Sequence, residues 1–161
     1  MSEIITTFYN AFHQLDANTM VKQYHNDIIF EDPAFGRLQG KRSKAMWQML
    51  CSSQKGKDFK IDYHSVTETT SEGSAIWEAY YTFSKTGRRV HNIIHASFTI
   101  EDGKITKHTD DFNLHKWASQ AMGFKGKLLG GTGFFKRQLQ KQTNAMLDTY
   151  ITKTEKQPST M

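Results

Sequence analysis

His108, Asp110 and Asp111 fall within KITKHTDDFNLHKW (104–117), and Asp32 stands near the end of DIIFEDP (27–33). An imidazole and a carboxylate two residues apart on a strand share one face, so His108 and Asp110 are placed to hand a proton between them. Asp32 is two residues beyond Phe30, also on an apolar face. Two carboxylates aimed into one apolar space are costly unless hydrogen-bonded or protonated, and burial raises their pKa values toward neutrality. Such an arrangement suits proton transfer, with Asp110 as acid or base and His108 and Asp32 sharing or tuning the proton. Each has a plainer reading. Asp110 can anchor a strand end, His108 can be a hydrogen-bonded core histidine, and Asp32 before Pro33 can simply make a turn.

The elements that position these groups follow from periodicity. Ile4, Ile5, Phe8 and Phe12 mark a helix over 3–14. Asp16 is the expected N-cap of a second helix over about 17–25, through Met20, Val21 and Tyr24. DIIFEDP then reads as a short strand, AFGRLQG as a loop, and 41–53 as a third helix with Met46, Trp47, Leu50 and Cys51 on its apolar side. Beyond residue 58 the period drops to two. Four strands follow in an antiparallel meander, with KTGRR and EDGK as turns in which Gly87 and Gly103 supply positive φ. A brief helix over 114–122, a glycine-rich connector and a long helix over 134–151 complete the chain, and 153–161 reads as a disordered tail. The expected organisation is one domain over 1–122 with a linker and basic helix over 123–152 packed on it or extending it.

Alternation assigns the faces, because a one-residue slip inverts every side chain. Trp77, Ala79, Tyr81 and Phe83 should face the helices, as should Asn92, Ile94, Ala96, Phe98 and Ile100. In the last strand Lys107 resists burial and Phe112 resists exposure. His108, Asp110 and Phe112 therefore turn inward, and Asp111 turns outward. Phe30, Trp47, Tyr63, Trp77, Tyr81, Ile94 and Phe112 would wall an interior suited to a flat, apolar ligand, with Asn92 as the polar contact; most of these aromatics serve equally well as core. On the opposite face, Tyr80, His91, Ile93 and His95 form the expected homodimer contact. His91 and His95 are about 13 Å apart by the strand rise, too far for one metal, and no other Cys or His spacing calls for one. No cofactor is expected.

The 161 residues carry a net charge of +5. Residues 1–120 are balanced at 14 basic and 14 acidic side chains, whereas 121–161 hold 7 basic and 2 acidic. A cationic appendage on a neutral body does not argue for nucleic acid. The basic face of Lys136, Arg137 and Lys141 reads as solvated, with a membrane surface or polyanion as the alternative contact. No apolar run approaches the roughly 20 residues of a membrane span. MSEIITTFYNAF lacks the features of a secretory signal, so a cytoplasmic location is expected.

Helix–helix–DIIFEDP, GRLQGKRSKAMWQML, a strand meander and FTIEDGKITKHTDDFNLHKW together resemble the SnoaL-like branch of the NTF2-like superfamily, which includes ketosteroid isomerase, polyketide cyclases and limonene epoxide hydrolase. The resemblance covers roughly residues 3–122. It implies an α+β barrel: a curved mixed sheet wrapped by N-terminal helices around a conical apolar pocket, usually dimeric through the outer sheet face. Here a C-terminal helical extension would be added. Asp110 matches the aspartate that serves the cyclases and the hydrolase as acid or base, and Asp32 matches a polar pocket position. The Arg–Asp pair of the hydrolase is replaced by Trp77 and Ala79, which argues against epoxide hydrolysis. Thr109 stands where an arginine is usual, and the oxyanion-hole pair of the isomerase has no match. The implied activity is cofactor-free isomerase or cyclase chemistry on an apolar carbonyl compound. The rivals are a binding protein for a hydrophobic small molecule and a dimerising scaffold.

Overall fold

The computed structural model describes residues 3–156. Helix α1 (Ile4–His13) buries Ile4, Ile5, Phe8, Tyr9 and Phe12 along one stripe. The Glu68 carboxylate accepts from the backbone N–H of Ile4 and Ile5, satisfying two of the donors that a helix start leaves free. Asp16 caps α2 (Ala17–Lys22), accepting from the Thr19 N–H at 3.2 Å. The second helix thus stops short of the expected residue 25. Tyr24 has helical spacing from Met20 and Val21, yet it begins β1 (Tyr24–Asp32) because its ring goes into the core from the strand.

A further correction concerns 36–39, expected as loop. Gly36–Gln39 is β2, paired antiparallel with β1. An edge strand needs few apolar positions, and Leu38 alone supplies its buried residue. Helix α3 (Lys41–Gln54) follows, then β3 (Lys60–Glu68), β4 (Glu72–Phe83), β5 (Arg88–Glu101) and β6 (Lys104–Asp111). Gly87 and Gly103 sit in the hairpin turns with φ of 72° and 75°. The sheet order is β2-β1-β6-β5-β4-β3, with all pairs antiparallel except β1 with β6. This mixed sheet is curved but unclosed, so the α+β barrel has two free edges, β2 and β3.

The expected faces hold on β5 and at the end of β6, but Ile105, grouped by alternation with outward Lys107, is buried because the β5–β6 register shifts beside it. On β5, Val90, Ile94, Ala96, Phe98 and Ile100 are buried, while His91, Ile93, His95, Ser97 and Thr99 are exposed. On β6, Ile105, His108 and Asp110 are buried and Lys107 and Asp111 exposed. Helix α1 lies against β3 and β4, and α3 against β1 and β2. Between helices and sheet the rings of Phe8, Phe12, Trp47 and Trp77 interlock edge to face, with centroids 5.2–5.5 Å apart for Phe12–Trp47, Phe12–Trp77 and Phe8–Trp47.

Helix α4 (Leu114–Met122) is followed by α5 (Phe124–Leu129), a helix where a glycine-rich connector was expected. The reason is Gly126: a Cβ there would meet the Ala118 carbonyl oxygen at 1.9 Å, so this glycine lets α5 pack flush on α4. Helix α6 (Gly133–Lys156) runs past the expected end at 151, and residues 153–156 are helical rather than tail; 157–161 lie outside the described residues. Leu147 is fully buried, and Arg42 pairs with Asp148 at 2.5 Å and with the Asn144 side chain at 2.7 Å. Gln140, Thr143 and Asn144 donate to the carbonyls of Pro33, Ala34 and Phe35. Helix α6 is thereby fastened over the β1–β2 turn.

Candidate functional site

His108 and Asp110 form the centre of a buried polar chain. The indole N–H of Trp47 donates to the Tyr24 hydroxyl oxygen at 2.8 Å. Tyr24 in turn lies 2.7 Å from His108 Nδ1, and His108 Nε2 lies 2.8 Å from Asp110 Oδ1. Trp77 Nε1 reaches the same carboxylate oxygen at 3.4 Å. An indole can only donate, so the Tyr24 oxygen accepts from Trp47 and spends its own proton on Nδ1. Nε2 then carries the ring proton and donates to Asp110. Burial holds the Tyr24 hydroxyl well above its usual pKa, and the charge of Asp110 adds to this, so the donor in the chain stays protonated.

The surroundings of this chain are dry. His108 is fully buried and Asp110 is 3% exposed. Five rings enclose the imidazole: Phe98 stacks on it at 4.3 Å, Trp47 lies parallel to it at 6.0 Å, and Phe8, Tyr24 and Phe30 meet it edge-on. In such a medium an unpaired charge is very costly, which explains why every nitrogen of His108 has a partner.

Asp32 enters from β1. The parallel register sets Phe30 beside His108 and Glu31 beside Thr109, so the strand brings Asp32 level with Asp110 on the same face. Its Oδ1 accepts from the N–H groups of Ala34 and Phe35 at 3.0 and 2.6 Å, making the turn into β2. Desolvation, with a smaller contribution from the charge of Asp110, nevertheless outweighs the opposing pull of the two N–H bonds and pushes this carboxyl up to about 7. The turn-making reading of Asp32 is thus seen directly in its two N–H bonds.

Two tyrosines escaped the sequence reading. Tyr24 was hidden by its helical spacing. Tyr9, on the apolar stripe of α1, has a buried hydroxyl with no hydrogen-bond partner. Burial first, then Asp110 and Tyr24, hold its pKa well above the usual value. A tyrosine among Ile5, Phe8 and Phe12 was the available signal, since a phenylalanine would fill that place without an orphaned O–H.

The other expected wall residues divide. Phe30, Trp47, Trp77 and Ile94 are buried in the aromatic interior. Tyr63 stacks on Tyr9 and donates to Asn10 at 2.5 Å. Tyr81 accepts from Trp117 Nε1 at 2.7 Å. Asn92 and Phe112 line a different cleft, of about 480 Å³, together with His91, Ile93, His95 and Asp111. A second cleft, about 580 Å³ and mostly apolar, lies between α4–α5, α6 and the β4–β5 turn, with Phe83, Trp117, Leu129, Phe135 and Met146 among its walls. Ala34 also lines it, the residue whose N–H Asp32 holds. Neither cleft is lined by His108 or Asp110. No group of three or more His, Cys, Asp or Glu among the described residues is arranged to hold a metal ion.

The model for the SnoaL-like domain matches residues 5–108. The chain belongs to the SnoaL-like family. Solved structures agree on the fold of this SnoaL-like chain. An NTF2-like protein of unknown function from Burkholderia pseudomallei K96243 superposes with a TM-score of 0.64 at 14% identity, over 76% of this chain and 99% of the other. A candidate polyketide cyclase from Xanthomonas campestris pv. campestris gives 0.58 at 19% identity, over 73% and 93%. An epoxide hydrolase of M. tuberculosis, similar to limonene epoxide hydrolase, gives 0.56 at 22% identity, over 79% and 88%. At these identities the likeness establishes the fold. No curated protein matches the sequence.

Proposed function

We propose that this SnoaL-like protein binds an apolar carbonyl compound and moves a proton on it without a cofactor, as an isomerase or cyclase does. The observation that carries the reading is the desolvated chain Trp47–Tyr24–His108–Asp110 with a second carboxylate, Asp32, level with it on the next strand. Two acids on one face of adjacent strands, one buried and one half-buried, cannot ionise with equal ease. Asp110 is fixed by His108 and Trp77, and Asp32, its carboxyl pushed up to about 7, is the group that takes and returns the proton. The free hydroxyl of Tyr9 is the donor for the carbonyl oxygen. The apolar cleft beside Ala34 is the approach for the substrate.

The enclosure of His108 by five rings favours a second reading, a binding protein in which the buried chain only specifies the core. Conjugated ketones offered to the wild type, Asp32→Asn and Asp110→Asn decide between them. Catalysis predicts that Asp32→Asn lowers turnover by about 10²–10⁴-fold while ligand affinity stays within a few-fold. A carrier predicts binding in all three and turnover in none.

A further inference from the structure

Between Asp111 and Asp148 the chain contains no acidic residue, while Lys116, Lys125, Lys127, Lys136, Arg137 and Lys141 are all basic. The same segment carries most of the large apolar side chains left in water: Phe124 is 76% exposed, Leu128 62%, Phe134 61%, and Leu129 and Met146 are also exposed. The two facts coincide on α5 and the start of α6, where Lys125, Lys127, Lys136 and Arg137 accompany Phe124, Leu128 and Phe134.

The geometry of α5 organises them. Its Gly126 face is pressed onto the Ala118 carbonyl. At about 100° per residue, positions two before and two after that glycine point almost directly away from the packed face. Phe124 and Leu128 therefore form an outward apolar ridge, and Lys125 and Lys127 flank it on either side. Phe134 lies in the first turn of α6, just past the GGT turn, followed by Lys136 and Arg137. An apolar ridge bordered by long cationic side chains is the arrangement of a helix lying in a lipid headgroup region, with apolar groups inserted and lysines reaching up to phosphates.

We propose that this α5–α6 corner docks on an anionic lipid bilayer. A second copy of the chain is the poorer occupant, since a two-fold contact through this corner would set cationic surface on cationic surface. An anionic bilayer supplies both the opposite charge and an apolar layer for Phe124, Leu128 and Phe134. Docking would also bring lipid against the mouth of the 580 Å³ cleft, whose walls include Lys125, Leu129, Phe134 and Met146.

The test is co-sedimentation of the full chain with vesicles of phosphatidylcholine, with and without about one-third phosphatidylserine. The wild type should sediment with the anionic vesicles, release as salt rises, and bind the neutral ones weakly. Phe124→Ser with Leu128→Ser should reduce the bound fraction roughly tenfold or more, and Lys125→Gln with Lys127→Gln should do so by several-fold and flatten the salt dependence. All four positions are in water, so circular dichroism should be unchanged. The proposal fails if the wild type ignores anionic vesicles, or if the serine variant binds as well as the wild type. It fails too if the serine substitutions only convert a dimer to a monomer, or if the chain takes up polyglutamate in preference to the vesicles.

Discussion

The sheet carries a histidine–carboxylate cluster on each face, and the two differ in almost every physical respect. Inside, His108 meets Asp110 at 2.8 Å with neither group open to water. Outside, Glu78 accepts from His91 at 2.8 Å and from His64 at 3.1 Å, both imidazoles lie in solvent, and Tyr80 stacks on His91 at 4.3 Å. The distances are nearly equal, but the surroundings are not. In water, solvent and salt screen the pair and leave little net stabilisation. Under the helices no solvent can replace a lost partner, so each group depends on the other. Similar geometry on the two faces therefore yields a rigid, interdependent centre on one and an adjustable surface on the other.

Breaking the inner cluster should give the largest effect. His108→Leu leaves Asp110 buried without its main donor and should cost about 3–5 kcal/mol in urea unfolding. Tyr24→Phe removes the donor to Nδ1 and strands the Trp47 indole, for a loss of about 1–3 kcal/mol. Asp32→Asn sharpens the contrast through pH. The folded pKa of Asp32 lies above its unfolded value, so the folded state binds the extra proton between about 4 and 7, and this group makes the protein less stable as pH rises through that window. An asparagine can keep both N–H bonds of the turn. The variant should therefore gain up to about 4 kcal/mol over wild type at pH 8 and almost nothing at pH 4, read from urea midpoints at the two pH values. His91→Ala on the outer face should stay within about 0.5 kcal/mol. If it costs as much as His108→Leu, the environment is not what separates the clusters.

The inward turn of His108 and Asp110 was legible because Lys107 and Phe112 disagree with every other register. The Asp16 cap and the Gly87 and Gly103 turns were legible because each residue answers a local backbone need. Other features depend on what the chain meets in space. Tyr24 satisfies a helical pattern and a strand equally, and only the polar chain through its hydroxyl decides. Gly126 reads as a helix breaker until Ala118 lies above it. Asn92 has the parity of the inward face, yet near the sheet's end it lines a cleft together with His91 and His95 of the outer face. Whether rings fill the space beneath the sheet is a matter of volumes, which alternation does not encode. No helix among the described residues is long and apolar enough to cross a membrane, which agrees with the hydropathy pattern.

The proton-transfer role of Asp32 requires that a carboxyl at the end of β1 hold its proton into the neutral range because burial, aided by the charge of Asp110, keeps it there. Carbon-detected NMR of aspartate carboxyls in wild type and Asp32→Asn, titrated from pH 3 to 9, tests it most directly. One resonance, missing in the variant, should titrate with a midpoint near 7. A midpoint below about 5 would place Asp32 among ordinary carboxylates and leave it no part in proton transfer at neutral pH.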